Sequence, residues 1–207
     1  MYRPPAFRED RSEILRALIR GHPLATLVTH GAAGLTANLI PFTLVEAEGG
    51  DRLRCHLAKA NEQLADLRAG AEALVIFQGP HAYVSPSWYA SKAETHKVVP
   101  TWNYVVVQAW GTPVVTDDAD WLKAQTTALT DSRESTRSEP WAVTDAPADY
   151  IASQLRGITG VEIPIARIEG KWKASQNRSE ADRKGVADGL RAAGDTVMAA
   201  IVEDRGR

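Results

Sequence analysis

Hydrophobic positions along the chain change period several times, and the changes mark out the elements. Ile14, Leu15, Leu18 and Ile19 fall at helical spacing, behind Asp10 or Ser12 as a cap and ahead of Gly21 and Pro23, which stop the helix. The period then shortens to two. Residues 24–29 predict a strand, 31–34 a turn, and 35–45 a second strand. After a turn at Glu48-Gly49-Gly50-Asp51, residues 52–57 alternate again. A helix follows, with Asn61 as its cap, Leu64 and Leu67 inward and Gly70 past its end. Strands are expected over 73–77, 81–85 and 104–115, the last broken near Gly111-Thr112-Pro113 because proline donates no ladder hydrogen bond. Between the second and third lies a polar loop from Pro86 to Pro100. Helices over 118–129 and 148–155 flank an irregular stretch with Pro140 and Trp141, and one more strand spans 161–168. A C-terminal helix or helix pair starts near Ser179, which stands three residues before Asp182 at capping-box spacing.

Short strands separated by turns, without regular β-α alternation, predict an antiparallel sheet closed into a barrel with peripheral helices. The expected class is therefore α+β, one domain over 1–207 with a helical appendage from about residue 179. Composition narrows the function classes. The chain has 207 residues, 44% of them hydrophobic and 24% charged, which is ordinary for a folded globular protein. A formal charge of -2 gives no global field toward nucleic acid or anionic lipid, and this argues against direct DNA binding. The single cysteine, Cys55, excludes an internal disulfide framework and zinc-ribbon spacing. The charged, proline-bearing start MYRPPAFRED is unlike a signal peptide, and no stretch approaches ~18 consecutive apolar residues. A cytoplasmic, membrane-free protein is expected.

Three segments carry candidate chemistry. In the first, His56-Leu57-Ala58-Lys59-Ala60-Asn61, a strand ends and a helix begins with a lysine just before the cap. That junction suits a phosphate, because helix N–H groups and an ammonium converge there, but it equally describes a capped helix with a solvated lysine. In the second, two proline-anchored loops present Trp88, Tyr89, Trp102 and Tyr104 near strand ends. They read either as walls for a flat ring or as a satellite aromatic cluster. The third, Gly170-Lys171-Trp172-Lys173-Ala174-Ser175-Gln176-Asn177-Arg178, lies in the only notably basic window, where seven Lys/Arg face four Asp/Glu between 167 and 191. No G-x-G-x-x-G, Walker loop, G-x-S-x-G or H-E-x-x-H occurs, and the five histidines lack metal-ligand spacing. Cys55 and His56 are adjacent on a strand and so point to opposite faces, which excludes a nucleophile pair. No catalytic residue is assigned.

Taken in order, MYRPPAF, HLAKAN at 56–61, GPHAYVSPSWY at 79–89, VPTWNY at 99–104 and GKWKASQN at 170–177 resemble the PaiB family of FMN-binding negative transcriptional regulators. The resemblance spans nearly the whole chain, with Glu62 standing where proline usually follows Asn61. It implies a split barrel of the pyridoxamine-phosphate-oxidase type, a homodimer, and FMN as cofactor. By resemblance the phosphate lies along His56, Lys59 and Asn61, and the isoalloxazine edge along Thr36, Ala37, Asn38 and Leu39. Trp102 and Asn103 are expected to face the same cleft. Lys171, Ser175, Gln176 and Asn177 carry over more loosely, to the ligand or to the dimer. The functions implied are a negative regulator or a flavin-dependent redox sensor. The alternatives are a flavin oxidoreductase without a regulatory role and a haem-binding split barrel using His56, His81 or His96.

Overall fold

A computed structural model of the chain describes residues 1–206. In chain order the elements are β1 (Arg8–Glu9), α1 (Ser12–Gly21), β2 (Leu24–Gly31), β3 (Gly34–Pro41), β4 (Thr43–Val45), β5 (Arg52–Ala58), α2 (Gln63–Arg68), β6 (Ala73–Val84), α3 (Ser91–Thr95), β7 (Thr101–Gly111), β8 (Val114–Thr116), α4 (Ala119–Glu134), α5 (Ala148–Arg156), β9 (Ile158–Pro164), β10 (Arg167–Lys173), α6 (Glu180–Ala192) and α7 (Thr196–Asp204). The chain is α+β with antiparallel strand pairs, as the pattern predicts. It falls into two compact units, one of residues 19–77 and 108–168, the other of 1–18, 78–107 and 169 onward.

The first of these units is built on the β2–β3 hairpin, paired from Leu24↔Pro41 to Gly31↔Gly34. Gly34 closes the turn at φ 101, a conformation that a side chain would strain. The start of β6 pairs with the other edge of β2, and a second sheet runs in the order β4-β5-β9-β8. Period-two alternation sends Leu53, Cys55 and Leu57 of β5 into the core and leaves Arg52, Arg54 and His56 on the opposite face. Helix α4 lies along β4, β5 and β9. The strand expected over 35–45 is interrupted at Phe42, whose N–H turns away to the Pro23 carbonyl at 2.8 Å while its ring packs edge-on against Phe77. The strand expected over 161–168 also divides: β9 begins earlier, at Ile158, and ends at Pro164, and β10 is a separate strand. Helix α4 continues past Leu129 to Glu134. The break between β7 and β8 falls at Thr112-Pro113 as predicted, and Asp118 caps α4 by accepting from the Trp121 N–H at 2.7 Å.

In the other unit the strands run β1-β10-β7-β6. The strands predicted at 73–77 and 81–85 are one continuous β6, running through Gly79-Pro80. A Cβ at Gly79 would lie 2.7 Å from Leu18 Cδ1, so this glycine serves close packing and not a turn. Ser179 caps α6 through the Asp182 N–H, but Asp182 does not reciprocate. Its carboxylate accepts from the Ser91 N–H and hydroxyl, both at 2.9 Å, and holds α3 against the start of α6. Trp88 rests on α6 where Gly185 and Gly189 make a trough. A Cβ on Gly185 would sit 2.0 Å from the Trp88 carbonyl oxygen, and one on Gly189 2.3 Å from its ring. Buried Glu9 anchors the end of α7, taking hydrogen bonds from Arg11 and from Arg205.

Two outcomes follow for stability. Alanine is the better helix former by ~1 kcal/mol, yet Gly185→Ala is expected to destabilise by ~1–3 kcal/mol in urea unfolding, because the clash is with backbone. An unchanged or raised midpoint would show that Trp88 does not rest on α6. For Glu9, burial works to raise the pKa, but the hydrogen bonds from Arg11 and Arg205 prevail and bring it from 4.5 to about 2. A depressed carboxylate adds stability above its unfolded pKa and loses it as pH falls through the folded one, here between about pH 4.5 and 2, up to roughly 3 kcal/mol. Glu9→Gln should be less stable at pH 7 and show a flatter stability profile over that window; parallel profiles would remove Glu9 from the acid response.

Candidate functional site

The resemblance assigned residues to both units, and the structure sorts them into two clusters. In the β2–β3 unit the organising side chain is Gln63, the first residue of α2 and 1% exposed. Its Nε2 donates to the Leu27 carbonyl at 3.0 Å and to Thr29 Oγ1 at 3.1 Å, and its Oε1 accepts from Asn38 Nδ2 at 3.0 Å. Asn61 caps the same residue, its Oδ1 accepting from the Gln63 N–H at 3.0 Å. Thr36 and Asn38 therefore turn toward α2, and Asn38 and Asn61 meet through Gln63. Ala37 and Leu39 occupy the opposite, exposed face of β3, Leu39 at 65%. Nothing in the sequence pattern marked Gln63; its one signal is a polar residue at an inward position beside the Asn61 cap.

Lys59 and His56 separate. Lys59 is half-exposed and faces Asp117 at 3.8 Å, where Arg68 also reaches in at 3.4 Å. The Thr159 hydroxyl donates to Asp117 at 2.7 Å and, with the two cations, holds this carboxyl below its ordinary range. Two cations around one carboxylate leave a positive surplus at the end of β5. The α2 N-terminus adds little to it: the Leu64 and Ala65 N–H groups are taken by the Asn61 and Glu62 carbonyls, and the helix is six residues long. His56 projects from β5 toward α4 instead, its Nδ1 2.7 Å from Gln125 Oε1.

In the other unit the third segment forms β10 and the tight turn after it, with Ser175 at φ 63. Lys171 is buried between the rings of Tyr2 and Tyr104, 5.4 and 5.1 Å from their centroids. Gln176 is absorbed by the turn, its Oε1 accepting from the Ala174 N–H at 2.7 Å and its Nε2 donating to the Trp172 carbonyl at 2.6 Å. Trp102 and Asn103 do not face one cleft: successive β7 residues alternate, so Trp102 is 54% exposed beside Tyr83 and His81. Asn103 is buried and donates to Ser175 Oγ at 3.0 Å. Asn103, Ser175 and Asn177 line a cavity of about 70 Å³ together with Lys173, Arg178 and Tyr89. The Tyr89 hydroxyl is buried there without a hydrogen-bond partner, and burial pushes its pKa up. Burial, then the charges of Lys171 and Arg178, push Lys173 below the usual lysine value. Such a pocket favours an anionic or strongly accepting group, which would relieve the repulsion and satisfy the tyrosine. Lys173, Arg178 and Tyr89 extend the sequence-predicted set. Cys55 is fully buried and burial raises its pKa, so no activated thiol is present. Among the described residues no helix is long and apolar enough to cross a membrane, and no His/Cys/Asp/Glu group is placed to hold a metal.

The sequence profile of a family described as "Putative FMN-binding domain" matches residues 1–167. An uncharacterised protein of Emericella nidulans is 35% identical over all of this chain and 98% of its own length. The protease synthase and sporulation protein PAI 2 of Bacillus subtilis is 30% identical over 92% of this chain and 89% of its own. Among solved structures, the FAD and heme binding protein of Mycobacterium smegmatis aligns with a TM-score of 0.60 at 22% identity, covering 80% of this chain and 73% of that one. The flavocytochrome Anf3 of Azotobacter vinelandii aligns with a TM-score of 0.57 at 15% identity, over 80% and 69%. The two structures share the fold with this chain.

The exposure of Trp102 yields a direct test of its place. Trp102→Leu should cost the ligand-free protein less than ~1 kcal/mol in chemical denaturation, since only the contacts with Tyr83 and His81 are lost. A loss of ~3 kcal/mol or more would mark it as a core residue.

Proposed function

The chain belongs to the FMN-binding domain family whose profile covers residues 1–167, and from that premise we propose that it is a flavin-binding split-barrel protein that works as a homodimer and senses or relays redox state. FMN is the cofactor, and when bound it supplies one- and two-electron redox chemistry. The chain's own residues bind, orient and shield it. In this reading Lys59 and Arg68 receive the phosphate, displacing part of their interaction with Asp117. The β3 segment from Thr36 to Leu39 lies along the ring edge, and the Lys173–Arg178–Tyr89 pocket takes an accepting group of the ligand or of its substrate.

The family match carries the flavin, and the size of that pocket supports the dimer. Sites that enclose a whole small molecule measure ~300–1,000 Å³. A cavity of about 70 Å³ takes only a phosphate-sized piece, so a second wall has to come from another molecule. Each unit also leaves large apolar side chains uncovered, Leu35 and Leu39 on β3 in one and Trp102 and Tyr83 in the other. An isologous dimer is the commonest way to cover such surface. With a formal charge of -2, direct attraction to DNA is weak, so we place regulation, the role the PaiB resemblance implies, in the flavin's state and not in a DNA-reading surface. A haem reading draws on one observation: His81 is exposed beside Trp102, with ring centroids 6.2 Å apart, where an axial ligand is accessible.

The absorption spectrum of protein reconstituted with FMN or haem separates the two cofactors, since flavin gives paired near-ultraviolet and blue bands and haem a Soret band. Saturable FMN binding without haem binding is expected. Light scattering should give about twice 22.5 kDa, and a monomer at micromolar concentration would end the shared-site reading. Lys59→Ala should weaken FMN by ~1.5 kcal/mol, about tenfold, while leaving riboflavin, which lacks the phosphate, nearly unchanged. Equal losses for both would move the phosphate elsewhere.

A further inference from the structure

Between β4, β5 and α4 lies a cavity of about 370 Å³ that none of the residues assigned to the flavin lines. Its size is that of a small-molecule site. Phe42 and Leu44 make an apolar floor, and the short side chains of Ala124 and Ala128 on α4 keep the space open. Three guanidinium groups stand around it, Arg20, Arg54 and Arg133. Arg20 pairs with Glu46, and Arg54 shares Glu162 with Arg52. Arg133 has no carboxylate partner among the described residues; it reaches over the end of α1, donating to the Arg20 carbonyl at 3.1 Å and to Ser132 Oγ at 3.2 Å. Four guanidinium groups thus face two carboxylates, and the surplus lies at the cavity.

A second observation points the same way. Gln125 lines this cavity and is 2% exposed. Its Oε1 is engaged by His56 at 2.7 Å, while its Nε2 is buried without any hydrogen-bond partner. Native proteins rarely leave a buried amide donor unpaired, and the cavity is where an acceptor can enter. We propose that this cavity binds a small organic acid, an apolar body of about the size of one ring carrying a carboxylate or phosphate. The anionic head pairs with Arg133 and Arg20, an oxygen of the same ligand accepts from Gln125, and the apolar body lies on Phe42 and Leu44. The three interactions reward one molecule that has both parts, because a neutral ring leaves the surplus charge unmet and inorganic phosphate leaves the floor wet.

The test uses nitrogen-labelled full-length protein and follows the Gln125 side-chain amide by NMR during titration with benzoate, phenyl phosphate, inorganic phosphate and benzyl alcohol. Saturable shifts of that amide with benzoate or phenyl phosphate, and none with benzyl alcohol or inorganic phosphate, are the expected result. Whichever acid binds more tightly identifies the head group. Arg133→Gln, an exposed position, should weaken that acid about tenfold with the rest of the spectrum unchanged. Ala128→Trp should abolish the shifts by filling the space, its own amide spectrum showing that it folds. The proposal is overturned if neither acid moves the Gln125 amide at roughly 10 mM, if benzyl alcohol does so equally, or if Arg133→Gln leaves the affinity unchanged.

Discussion

One buried amide fixes the geometry of the β2–β3 unit. Gln63 reaches from α2 to the Leu27 carbonyl and Thr29 hydroxyl of β2 and accepts from Asn38 of β3, so a single side chain joins three elements. Without it each of those polar groups would lie buried and unpaired, at ~1–3 kcal/mol apiece. The consequence is positional as much as energetic. Held at its first residue, α2 brings Asp66 against the Thr29 hydroxyl at 2.8 Å and Arg68 to Asp117, where Lys59 arrives from the end of β5. The cation pair proposed for the phosphate therefore inherits its place from an amide that makes no contact with it.

Most of the strand and helix order was legible in the sequence, because alternation and caps are local. The Thr112-Pro113 break, the Asp118 cap and the C-terminal helix pair needed no long-range information. What misled was punctuation read as turns. Gly79-Pro80 looks like a loop, but the glycine is there to let Leu18 approach, and β6 runs straight through. Phe42 looks like the middle of a strand, but its N–H is claimed by Pro23, far enough upstream that no local pattern reveals it. β10 was hidden for a third reason: its charged residues are not solvated, since Lys171 is buried between two tyrosine rings.

The candidate site was legible as a set of segments and not as a set of directions. Motif spacing placed Trp102 beside Asn103, and the strand then turned them to opposite faces, one exposed and one bonded to Ser175. Gln176 carried the right chemistry for a ligand but closes its own turn. Conversely, Lys173, Arg178 and Tyr89 come from separate parts of the chain, and only folding joins them around one cavity. Residue types follow from sequence; which of them remain unengaged is decided by tertiary hydrogen bonds.

The sealing of Cys55 gives the protein a built-in clock. It is the only thiol in the chain, fully buried on β5, and its pKa is raised by burial, so an alkylating reagent finds no thiolate in the closed state. Labelling then proceeds only as fast as the β-sheet around it opens. The rate at which this thiol is alkylated reports the opening free energy of that one unit, separately from the fraying of exposed loops and helix ends.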